Sequence, residues 1–171
     1  MTRTLLVIDV QNDYFPGGEL PLWQPEETEA RIVDAIHAAR ARGDKVVLVQ
    51  HVSPETEGLF ATGSTGAAIR PAILAAAGDA PVVIKQHADA FQETDLKDHL
   101  GDTTELLITG MMTQNCVIFT ALSELAGGLT IKVIGELCAA PSEIVHLIAL
   151  NGLESKGYVV GTEVLTDAKA A

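Results

Sequence analysis

Short apolar runs recur along the chain at residues 5–8, 46–49, 82–84, 106–108, 131–134 and 158–160. Each is rich in β-branched residues and too short for a helix, which predicts six strands. Between them, apolar positions return at helical spacing. Pro25, Glu26 and Glu27 open a helix with Ile32, Val33 and Ile36 on one face, and Gly43 ends it. A second helix is expected from about residue 113 to 126, with Val117, Ala121, Leu122 and Leu125 inward and Gly127 beyond its end. Pro141 is expected to start a last long helix whose apolar face includes Ile144, Leu147 and Ile148, with Gly157 separating it from the final strand. Strands alternating with helices define an α/β fold around a mostly parallel sheet. Residues 53–66 lack such a period and are rich in Gly, Ser, Thr and Glu, so they read as a surface loop of the kind that borders active sites.

Composition narrows the picture. A chain of 171 residues fits one domain, residues 1–171, large enough to close a core without disulfides or metals. A formal charge of −12 repels phosphate backbones and anionic lipid, so neither nucleic acid nor a membrane is an expected partner. Cys116 and Cys138 form no disulfide framework, which points to a reducing, cytoplasmic setting. The opening ten residues contain one basic residue and a short apolar run ending at Asp9, and read as the first strand rather than a signal peptide or membrane span.

In open α/β sheets ligands bind beyond the carboxyl ends of the strands. Asp9 follows the first strand there, Lys85 follows the third, and Cys116 falls after the fourth in the first turn of the next helix. A helix N-terminus and a nearby ammonium both favour thiolate, so Cys116 is expected to ionise below its usual value of about 8.5. It would be the nucleophile, Asp9 would accept and return its proton, and Lys85 would hold the carboxylate. Each residue also has a plainer reading: cysteines pack as small hydrophobes, strand-end aspartates cap turns, and lysines sit in water.

The flanking residues carry a resemblance. Asp9-Val10-Gln11-Asn12-Asp13-Tyr14-Phe15 resembles the Asp-x-Gln-x-x-Phe opening of isochorismatase-like cysteine hydrolases, and residues 16–20 resemble its continuation in nicotinamidases. Lys85 with Ala90-Phe91 and Thr94-Asp95-Leu96 is similar to the lysine segment of that superfamily, and residues 110–117 to its cysteine segment. The resemblance runs from Leu5 to about Leu150 and implies a three-layer α/β/α, Rossmann-like fold with strand order 3-2-1-4-5-6. It makes Asp9 the general acid/base, Lys85 its partner and Cys116 a covalent nucleophile. It also implies a cis Met111–Met112 peptide that aims the Met112 N–H beside that of Cys116 as an oxyanion hole.

Gln11, Phe15, His51, Phe60 and Met111 are the candidates to line a substrate pocket, with Trp23 and Phe119 as further aromatic walls; core packing is the commoner fate of such residues. Zinc-dependent nicotinamidases carry an Asp-x-His pair and another histidine where this chain has Gln50-His51-Val52-Ser53, so no metal is expected, and no organic cofactor is needed. His87 is a weaker pocket candidate. His37, His99 and His146 read as structural or solvent-facing, and Cys138 as a buried thiol. The expected reaction is hydrolysis of a small amide or carbamoyl C–N bond through a cysteine thioester. Nicotinamidase activity is the nearest specific alternative, and a noncatalytic binding or scaffold protein the alternative of another class. The resemblance also implies a homo-oligomer acting on a small-molecule substrate.

Overall fold

The computed structural model describes residues 2–166. Six strands form one sheet in the order β3-β2-β1-β4-β5-β6, and all five pairings are parallel. The strands are β1 (Arg3–Ile8), β2 (Lys45–His51), β3 (Val82–Lys85), β4 (Glu105–Met111), β5 (Thr130–Ala139) and β6 (Val159–Val160). Each grows from one of the six apolar runs.

Helices cover both faces, and the two-residue period of a strand divides its side chains between them. Leu5 and Val7 of β1 join Ile32, Ile36 and Ile73 in one core, beneath α1 (Pro25–Arg42) and α2 (Pro71–Ala77). Leu6 and Ile8 join Leu96, Val117 and Leu153 in the other, beneath α3 (Leu96–Leu100), α4 (Ile118–Ala121) and α5 (Glu143–Glu154). Burial on both faces is why β1, β2 and β4 read as continuous apolar runs, whereas edge strand β3 leaves Val82 and Ile84 exposed. α1 starts with Pro25 and stops at Gly43, whose φ of +76° suits a residue without a Cβ, and its first-turn Glu26 and Glu27 and last-turn Arg40 and Arg42 complement the helix dipole.

Three expectations are corrected. The helix of residues 113–126 is three pieces: a wide turn at Thr113–Val117, then α4, then a 3-10 turn at Glu124–Ala126 capped by Ser123. Val117 and Ala121 are buried as expected, but Leu122 and Leu125 are exposed, because the break rotates them out of the helical stripe. α5 begins at Glu143, since the Ser142 hydroxyl accepts the Val145 N–H and acts as the cap in place of Pro141. Its apolar residues Ile144, Leu147 and Ile148 face outward.

Candidate active site

β1, β3 and β4 deliver three functional groups to one rim of the sheet. Asp9 leaves β1 with φ +51°, in the left-handed region, and its N–H still bonds to the Val49 carbonyl. β3 ends on Lys85, which pairs in register with His51 of β2. β4 reaches the wide turn through Gly110, where a Cβ would lie 2.0 Å from the Ile8 carbonyl oxygen, so only glycine lets β4 pass β1 this closely. The following peptide, Met111–Met112, is cis.

Lys85 is the centre of the resulting cluster. Its Nζ lies 2.8 Å from Asp9 Oδ2 and donates to Cys116 Sγ at 3.3 Å. It also lies 3.0 Å from His51 Nδ1 and donates to the His87 carbonyl at 3.0 Å. Asp9 and Lys85 side chains are fully buried, and Cys116 is 2% exposed. Among the described residues neither Asp9 oxygen accepts a hydrogen bond; Oδ2 has the Lys85 ion pair and Oδ1 not even that. An unpaired buried carboxylate oxygen is costly, and this one marks a place for a proton or a ligand.

The electrostatics differ from expectation at Cys116. Burial first, and then the Asp9 charge, push the thiol up to about 12 against the downward pull of Lys85. Cys116 therefore rests as a thiol. Burial alone would lower Lys85, but the charges of Asp9 and Cys116 hold it above its usual value, so it stays an ammonium. His51 is lowered by burial and by Lys85, and stays neutral.

The pocket candidates divide. His51 joins the cluster, and Phe60 stands beside it with ring centroids 5.5 Å apart. Met111 is fully buried in the core next to the cis peptide. Gln11 is a brace instead: its amide donates to the His51 and Ala67 carbonyls and accepts the His51 N–H, leaving no free donor for a ligand. Phe15 is a core residue with the Arg70 guanidinium 4.1 Å above its ring. Phe119 is exposed on α4, and Trp23 borders a separate surface cavity with Arg31 and His146. The His87 ring turns to Glu93, and only its carbonyl serves the cluster. His146 bonds to Thr113 at 2.9 Å, and Cys138 is a buried thiol raised to about 12 by burial.

Sequence reasoning passed over two residues. Tyr14 occupies the phenylalanine position of the opening motif, and its phenol is raised by burial and then by the charges of Asp9, Cys116 and Asp13, which puts it in the electrostatic field of the site. Its ring meets Phe60 edge-on at 4.8 Å. Asp13 accepts the Phe60 N–H at 2.7 Å and the Glu19 N–H at 3.3 Å, and so bolts the loop of residues 53–66 inward. Tyr in place of Phe, and a second carboxylate four residues after Asp9, were the available signals.

Donor atoms of Asp9, His51 and Cys116 lie within 4.8 Å of one another, a spacing that could hold a metal. The Lys85 ammonium fills that centre, contacting all three, and a dication there would meet like charge. The donor set thus fits an ammonium better than a zinc ion.

The fold and this constellation define a class that the comparisons identify. The isochorismatase domain model matches residues 3–164, and the chain belongs to the isochorismatase family. It is 33% identical to the isochorismatase family protein YddQ of Bacillus subtilis (strain 168), over 90% of this chain and 93% of that one. A putative isochorismatase hydrolase from Oleispira antarctica superposes with a TM-score of 0.88 at 31% identity, covering 97% of each chain. The nicotinamidase of Escherichia coli (strain K12) is 29% identical over 80% of this chain and 82% of its own.

Proposed function

We propose that this family hydrolase cleaves a small amide or carbamoyl-type C–N bond with Cys116 as nucleophile. The observation that carries the reading is one ammonium, Lys85, held at 2.8 Å from Asp9 and 3.3 Å from the Cys116 sulfur in a buried site. Because the thiol sits near 12, little thiolate is stored at neutral pH, and Asp9 takes the proton as Sγ attacks the carbonyl carbon. The Met112 and Cys116 N–H groups receive the oxyanion. Collapse breaks the C–N bond, the proton passes from Asp9 to the departing ammonia or amine, and a thioester remains. Water then attacks it, gives a proton to Asp9 and releases the acid, and Asp9 returns the proton to sulfur.

No organic cofactor enters this cycle. The chain would work as a homo-oligomer in a reducing, cytoplasmic setting, which two free cysteines and the outward apolar face of α5 support. Nicotinamide is the specific substrate favoured by the Escherichia coli relative.

The test is ammonia release from a panel of small amides that includes nicotinamide, with hydroxylamine to trap the thioester as a hydroxamate. Wild-type protein should turn over a member of the panel and yield hydroxamate, while Cys116→Ser falls by about 10⁴-fold and yields none. Activity surviving Cys116→Ala rejects covalent catalysis, and no turnover across the panel favours a binding protein that keeps the fold.

A further inference from the structure

Tyr14 stands where the opening motif has phenylalanine, and its side chain is buried, with 1% of the residue exposed. Buried tyrosines usually find a partner for the hydroxyl. Among the described residues this one has none. The polar side-chain atoms there that are both sealed from solvent and unpartnered belong to Arg3, Asp9 and Gln114, so the Tyr14 oxygen keeps contact with an opening. Phenylalanine would fill the same core, and packing alone gives no reason for the extra oxygen.

The chain fixes this ring close to the reacting groups. From Asp9 to Tyr14 it makes two consecutive turns, in which the Gln11 N–H donates to the Asp9 carbonyl at 2.9 Å and the Tyr14 N–H to the Gln11 carbonyl at 3.1 Å. The Gln11 side chain ties the same turns to β2, donating to the His51 carbonyl and accepting the His51 N–H, each at 2.8 Å. From there the contacts are continuous. Tyr14 meets Phe60 at 4.8 Å, Phe60 stands 5.5 Å from His51, and His51 Nδ1 lies 3.0 Å from Lys85 Nζ, which donates to Cys116 Sγ. Burial raises the phenol most, and the charges of Asp9 and then Cys116 add more than that of Asp13, its neighbour in the chain. The hydroxyl therefore turns toward the reacting groups and stays a protonated donor.

We propose that Tyr14 is a specificity-determining residue whose hydroxyl donates to the substrate and selects small amides with an oxygen acceptor on the carbon next to the scissile carbonyl. The proposal rests on the reading of Cys116 as nucleophile and adds the substrate class. In that reading the Met112 and Cys116 N–H groups take the carbonyl oxygen and Asp9 serves the leaving nitrogen, so the acyl substituent is the part of the substrate left for a further donor. An oxygen there gives the hydroxyl its missing bond. A methyl group in its place leaves the phenol desolvated and unpartnered, which is how a polar site rejects an apolar analogue.

The experiment uses Tyr14→Phe, which removes the oxygen and keeps the ring. Cys116 is alkylated at pH 8 with iodoacetamide, which carries a carbonyl oxygen beside its reacting carbon, and in parallel with allyl iodide, which carries a vinyl group there. Peptide mass spectrometry follows both reactions, with buried Cys138 as internal control. The two reagents meet the same thiolate, so the ratio of their rates cancels any change in thiol acidity or in the opening of the site. One hydrogen bond corresponds to about 2- to 10-fold, and Tyr14→Phe should lower the iodoacetamide to allyl iodide ratio by that factor. An unchanged ratio overturns the proposal. So does a Cys116 that neither reagent labels, because no small molecule then reaches the hydroxyl. Turnover gives a second arm: wild type should favour lactamide over isobutyramide, which has a methyl group in place of the hydroxyl, and Tyr14→Phe should lose that preference through lactamide alone. Equal losses on both amides also overturn the proposal. A lowered labelling ratio without hydrolysis of either amide upholds the Tyr14 contact and counts against the hydrolytic reading instead.

Discussion

At the scale of single residues, the site is governed by burial more than by any one partner. Lys85 and Asp9 are both removed from water, and each is tolerable because the other is there. Lys85→Met should leave an uncompensated carboxylate and lower stability by about 3–5 kcal/mol, as urea unfolding would show. A second consequence concerns pH. Both thiols are held at about 12 in the folded chain. A free cysteine ionises at about 8.5, so above that pH the unfolded chain binds fewer protons and stability falls as pH rises, by up to about 1.4 kcal/mol per unit for each thiol. Urea midpoints between pH 8.5 and 10 should decline in wild type, and Cys138→Ala should decline less steeply by about that amount per unit. His51 and His146 act on the acid side: both are lowered on folding, so their share of stability is full above about pH 6.5 and is lost as pH falls below it.

At the scale of elements, the close pass of β4 over β1 and the bolted loop fix the site. Gly110 has φ +114°, and its missing Cβ would strike the Ile8 backbone. Gly110→Ala should thus yield insoluble protein or a loss beyond about 4 kcal/mol, measured by expression and thermal unfolding. Asp13→Ala orphans two backbone N–H groups and removes the tie that holds Phe60 beside His51. It should cost about 1–3 kcal/mol and speed proteolytic cleavage within residues 53–66. These elements differ in how far sequence discloses them. The central strands were legible because burial on both faces writes uninterrupted apolar runs, and edge strand β3 because Val82, Val83 and Ile84 are β-branched although two of them are exposed. α2 and α3, of seven and five residues, carry too few turns to leave a period and were not foreseen. Asp9, Lys85 and Cys116 could be picked out because each stands at or beyond the carboxyl end of a strand. The places of His51 and the His87 carbonyl depend on the register of β2 against β3, and that of Tyr14 on the fold of the loop, and no local pattern encodes either. The thiol's upward shift was misread because burial of the sulfur, which no local pattern encodes, outweighs the pull of Lys85.

At the scale of the whole molecule, the apolar residues of α5 present a problem that the monomer does not solve. Ile144, Leu147 and Ile148 are 68%, 56% and 66% exposed, and they form one ridge at helical spacing. Phe119 and Leu122 are also outward on the segment that follows the cysteine turn, against which α5 packs through the His146–Thr113 bond. The rest of the surface belongs to a chain of charge −12, which keeps copies apart except where no charge is present. A ridge of this kind suits a second copy of itself, since a twofold axis sets it beside its own equivalent. Fully burying three such side chains from each copy is worth about 1.5–3 kcal/mol apiece, comparable in sum to the 4–15 kcal/mol that association costs, so the outward residues of α4 would be needed as well. Light scattering after size exclusion should give a mass at a multiple of the 18.0 kDa chain. Leu147→Glu places a like charge opposite itself across the axis and should return the protein toward 18.0 kDa with its circular dichroism unchanged. A wild-type chain that elutes as a monomer at micromolar concentration would leave the ridge without a partner of its own kind.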